Sequence, residues 1–214
     1  MGFEVSQGST RAPAPAGTHL ARCRGLVDLG TQDDTFEGKA KYTKKMWLWW
    51  ELLNEEGEDG KPVVIGARYT ASLNDKSGLY KMLISWRGRP FTPEELKGFS
   101  LDKLINAPCQ LSVIHEAKPD GKVRDKITGV TGVVKGMTAG PLRVPVVAVN
   151  LDADKFDRAA YDALPNFLKD VIGKSPEGKA LGLSLNAPAG GDPHNEWGNH
   201  KAPAAEVATD EIPF

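Results

Sequence analysis

Within residues 39–50, Lys39, Lys41, Lys44 and Lys45 are interleaved with the aromatic side chains Tyr42, Trp47, Trp49 and Trp50. Aromatic rings offer a stacking face to any nucleobase, worth about 1–3 kcal/mol per base. Neighbouring ammonium groups neutralise phosphates. The chemistry such residues can do is binding rather than bond-making. Their spacing decides which of them are available. Met46–Leu53 has the composition of a strand, in which Trp47 and Trp49 share one face and Leu48, Trp50 and Leu52 the other. The second set is a coherent core face, so Trp47 and Trp49 are expected outward and Trp50 inward. A slip of one residue would reverse the assignment. The competing reading for each tryptophan is ordinary core packing.

The flanking segments supply the remaining candidates. Thr18–Leu29 alternates in part and is interrupted by Gly25, as a bulged first strand requires; it carries Arg22 and Arg24. Gly30–Lys45 is polar and reads as a long loop. Val63–Leu73 forms a third strand with Arg68 and Tyr69. The period then changes: Leu79, Met82, Leu83 and Trp86 form the stripe of a helix capped by Asn74 or Asp75 and ending near Gly88. Thr92, Pro93 and Glu95 form a capping box for a second short helix. Strands return at Cys109–Glu116 and 122–134, joined by a Pro119-Asp120-Gly121 turn. This hairpin presents His115, Lys122 and Arg124 as further cationic candidates, with a solvated hairpin tip as the plain alternative. Val144–Leu151 reads as one more short strand.

Strand-strand-strand-helix-strand-strand is the order of the OB-fold, a five-stranded partly open barrel that binds oligonucleotides across its second and third strands. The expected fold is therefore mainly β with helices, an OB-type barrel with helical elaborations. Residues 1–17 read as a flexible arm and 18–151 as the barrel domain. Residues 152–185 read as a helical extension packed on it, with Phe156, Tyr161, Leu164, Phe167, Leu168, Val171 and Ile172 as its apolar positions. Residues 186–208 form a linker rich in Ala, Pro and Gly, expected to be disordered.

No enzyme motif is present: there is no phosphate-cradling glycine loop followed by Lys-Ser/Thr, no Gly-x-Ser-x-Gly and no His-Glu-x-x-His. No cofactor and no metal site is expected; His194 and His200 flank Trp197 in a segment too loose to hold an ion. Cys23 and Cys109 read as reduced core thiols. No apolar run is long enough to span a membrane and the N-terminus carries no export signal, so a cytoplasmic location is expected. The formal net charge of −1 hides an asymmetry: residues 1–150 carry 21 Lys and Arg against 17 Asp and Glu, residues 151–214 carry 6 against 11. A basic body with an acidic tail suits a binder of nucleic acid.

The chain closes on Thr209-Asp210-Glu211-Ile212-Pro213-Phe214. This resembles the acidic tip of bacterial single-stranded DNA-binding proteins, which ends in Ile-Pro-Phe. The resemblance implies that Asp210, Glu211, Ile212, Pro213 and Phe214 recruit proteins of replication, recombination or repair. An apolar pocket for Phe214 with a basic rim would suffice. In the body the likeness is architectural only, and the extra helices and strand depart from the bacterial pattern, as a phage-type member would. A tetramer is not carried over, and a homo-oligomer stays open. Two functions are weighed: a sequence-tolerant single-stranded DNA binder, and a protein-interaction adaptor that uses the tip without binding DNA.

Overall fold

The computed structural model describes residues 12–35, 39–119, 121 and 123–183. The linker, the segment 209–214 and Lys122 lie outside the described residues. Among the described residues six strands are formed: β1 (Gly17–Asp33), β2 (Tyr42–Glu56), β3 (Pro62–Thr70), β4 (Pro108–Ala117), β5 (Val123–Thr131) and β6 (Val147–Val149). Between β3 and β4 lie α1 (Gly78–Arg87), α2 (Pro93–Lys97) and a 3-10 turn at Leu101–Leu104. After β6 come α3 (Arg158–Asp162), α4 (Asn166–Lys174) and α5 (Pro176–Ala180). The protein is thus mainly β, an open sheet with a few short helices. The main path runs β3-β2-β1-β4-β5, with antiparallel neighbours throughout, and β6 pairs in parallel with β1. The end strands β3 and β5 come near each other, but among the described residues no ladder joins them.

β1 organises the sheet because it changes partners along its length. Gly17–Arg22 pair with β4, and Gly25–Val27 pair with β6. The register against β2 shifts between Cys23 and Gly25 and again between Asp28 and Gly30. Gly25 is required for the change of partner: a Cβ there would sit 2.1 Å from the Val147 carbonyl oxygen, inside any tolerable contact, so only glycine lets β6 dock.

Each face of the sheet is buried against a different layer. Ala21, Cys23, Leu48, Trp50, Leu52 and Ile65 face one core, sealed by the α1 stripe of Leu79, Met82, Leu83 and Trp86. The α1 helix starts where the Ser77 hydroxyl accepts from the Tyr80 N–H, past both Asn74 and Asp75, the caps expected from sequence, and stops at Gly88 with φ 68°. The capping box of Thr92 and Glu95 is formed. On the other face Val27, Leu29 and Trp49 meet Val147, Val149, Leu164, Leu168 and Ile172. α4 lays its apolar side on this face, and α5 is tied to β1 where Thr31 donates through N and Oγ1 to Glu177 at 2.8 and 2.7 Å. Among the described residues no helix is long and apolar enough to cross a membrane.

The two cysteines sit in the first core at 0% exposure. Burial pushes the Cys23 thiol up to about 12 and Cys109 well above its ordinary value. The thiolate is the reactive form, so both should label with a thiol reagent in the folded protein only as fast as the chain opens, and promptly in denaturant. Fast labelling of the native protein would contradict this placement.

Candidate nucleic-acid interface

β2 presents the faces its alternation demands. Leu48, Trp50 and Leu52 point into the first core, while Trp47 and Trp49 occupy the opposite face. That outer face is not bare. Trp49 is 2% exposed, with the Arg24 guanidinium 5.5 Å from its ring, and lies under the α4 layer. It is therefore unavailable to a base. Trp47 is half-buried: its ring meets Phe167 edge-on at a centroid distance of 5.4 Å and Trp49 at 6.4 Å. Both indoles lie over Gly66, where a Cβ would come within 2.3 Å of Trp47 Nε1 and 2.5 Å of Trp49 Cδ1.

The arginines of β1 are structural. Arg22 is 4% exposed and donates to the carbonyls of Gly140, Asn106 and Ala139. Arg24 is 0% exposed and donates to Pro145 O at 2.9 Å. Burial pulls its guanidinium down to about 10, with Glu51 opposing the shift. Neither is placed to meet a phosphate. Tyr69 packs against the first core, and burial raises its hydroxyl to about 12. Lys45 is buried by its bonds to Asp34 and Thr70, at 2.7 and 2.9 Å. These residues looked available because a polar head gives no sign in sequence of the carbonyl or carboxylate waiting for it.

The hairpin contributes less than expected. Arg124 and Lys126 both pair with Glu116. His115 Nε2 donates to Ala14 O, and Ala14 N donates to Asp125 at 2.9 Å. The last residues of the proposed arm are thus pinned across the hairpin, and Ala14 is buried. Such pairs at a surface are individually weak, so Arg124 stays within reach of an anion while His115 is committed.

A smaller group remains exposed. Arg68 stands directly opposite Trp47 in the β2–β3 register. Beyond the second register shift, β1 and β2 continue as a two-stranded ribbon that pairs Asp33 with Tyr42 and Thr31 with Lys44. This is the stretch that sequence reads as a loop, because a ribbon of polar side chains carries no apolar alternation. Tyr42 is 68% exposed on it. Lys39 and Lys41 are exposed beside it, and Lys44 is tied to Asp28 at 3.0 Å with its side chain half open. Among the described residues Lys39, Lys41 and Arg68 make no ion pair. The interface therefore reduces to Arg68 and Trp47 on the outer face and, on the other face of β2 by alternation, the exposed Tyr42 with its neighbouring lysines.

Two residues of this region were not singled out from sequence as part of it. Phe167 looks like any helix-face apolar residue. Gly66, a lone glycine inside a strand opposite Trp49, did carry a legible sign of close approach by another group. Among the described residues no group of three or more His, Cys, Asp or Glu side chains could hold a metal ion. No protein-family model matches the chain, and no curated protein matches it.

Proposed function

We propose that the protein binds single-stranded DNA without strong sequence preference. It would coat strands exposed in replication, recombination or repair and recruit partners through Asp210–Phe214. The observation that carries the reading is Trp47 facing the exposed Arg68 across β2 and β3, with the exposed Tyr42 further along β2 beside the exposed Lys39 and Lys41. A half-open ring beside an exposed guanidinium gives a base its stacking surface and its phosphate a counter-charge. The strand order with a helix between β3 and β4 supports an OB-type architecture, here left open between β3 and β5. The role of Asp210–Phe214 rests on the resemblance in sequence alone.

Titration with oligo-dT at two salt concentrations is the test. Tryptophan emission should be quenched, the affinity should fall as salt rises, and Trp47→Ala should cost about 1–3 kcal/mol of binding. No quenching and no retarded complex at low salt would sink the reading and favour an adaptor that meets only other proteins.

A further inference from the structure

A cleft of about 520 Å³ opens where β2, the end of β3, β6 and the Phe99–Asp102 connection meet. Its volume lies within the range of small-ligand sites, about 300–1,000 Å³. The floor is apolar: Leu26, Met46 and Val149, each at most 8% exposed. Phe99 and Leu101 form one wall. The rim is charged, with Lys44 and Lys155 as cations and Asp28 and Asp102 as acceptors. Asp28 already receives Lys44 and the Gly30 N–H, whereas Asp102 is exposed and its carboxylate accepts only from the Ser100 hydroxyl, at 3.0 Å through Oδ2, among the described residues.

The cleft opens on the Met46 side of β2, and Trp47 and Arg68 project from the opposite face of the same strands. Lys45 pairs with Thr70 and Trp47 with Arg68 on the same two strands. Ala71, which lines the cleft, is three residues beyond Arg68, about 10 Å at strand spacing. By alternation along β2 the exposed Tyr42 and Lys44 share the face of Met46, so a strand stacked on Tyr42 would run across the mouth of the cleft.

We propose that the cleft receives one nucleobase of the bound strand, turned out of the stack and carrying an exocyclic amino group. This rests on the reading of the protein as a single-strand binder and adds a base preference to it. The flat faces of the base lie against Phe99, Leu101 and Met46. Lys44 and Lys155 meet the flanking phosphates, and an ammonium with three donors can serve a phosphate without leaving Asp28. Asp102 accepts from the amino group, as carboxylates do from cytosine N4. Thymine presents no amino donor to that carboxylate and forgoes the bond.

The test compares oligo-dC with oligo-dT on the full chain. Two variants change exposed cleft residues: Ala148→Trp, which fills the cleft from β6, and Lys155→Ala at the rim. Wild type should prefer oligo-dC by roughly tenfold. Ala148→Trp should abolish that preference. Lys155→Ala should keep it while weakening both ligands and lowering the salt dependence by about one phosphate; because that site is exposed, this variant tests the cleft even where the tryptophan disturbs folding. Equal binding of the two oligonucleotides by wild type, or an Ala148→Trp protein that prefers oligo-dC as wild type does, overturns the cleft assignment while leaving the Trp47–Arg68 reading in place. Wild-type protein that binds neither oligonucleotide overturns both.

Discussion

Glu51→Ala should lower the unfolding free energy by about 3–5 kcal/mol, the cost of leaving a desolvated ionic partner unanswered. Glu51 is 0% exposed on the outer face of β2. Its carboxylate accepts from the N–H of Arg143 at 2.8 Å, from Arg143 Nε at 2.7 Å and from the Val144 N–H at 3.2 Å. The same guanidinium also reaches Glu56 and the carbonyls of Leu52 and Glu55, so one arginine fastens the loop before β6 to the end of β2. Removing the carboxylate orphans two backbone donors and deprives buried Arg24 of the charge that steadies it. Urea denaturation followed by far-UV dichroism measures the effect. A loss below about 1 kcal/mol would mean that water replaces the carboxylate and that the clamp is ornamental.

The second large effect separates neighbouring tryptophans. Trp50→Ala should cost about 3–5 kcal/mol of stability, the usual range for emptying a large aromatic site. The Trp50 ring is 0% exposed and lies 6.2 Å from Trp86 by centroids. Its Nε1 is buried without a hydrogen-bond partner, so Trp50→Phe, which deletes that donor and keeps a ring, should cost clearly less than the alanine. Trp47→Ala works on the opposite face and should show its main effect in oligonucleotide affinity. If Trp50→Ala folded with wild-type stability and lost binding instead, the assignment of the two faces would be inverted.

The alternation of β2 was legible because its two faces carry different side chains, and the capping box and the Gly88 stop are local chemistry. The ribbon at Asp33 and Tyr42 was not legible, since its pairing is made by backbone alone. Nor was the fate of Trp49. Facing outward means facing away from the first core, and only the tertiary arrangement puts Leu164 and Leu168 over that side. Apolar positions in α4 announced a packed helix without naming the surface it covers. Arg22 and Arg24 failed for a related reason: their acceptors are backbone carbonyls more than eighty residues away, which no pattern near residue 22 encodes.

The change of partner along β1 has a consequence in time. Its Gly25–Val27 stretch is completed by Val147–Val149, and the outer layer closes only with α4 and α5. Pairings that span so much of the chain form slowly, because the closure entropy precedes the contacts that reward it. During synthesis the first strand made must wait for the last of the described strands, and for the helices after it, before its second edge and outer face are covered, and until then Val27, Leu29 and Trp49 form an adhesive surface. Nascent chains halted before residue 147 should be the ones that associate with one another or with chaperones.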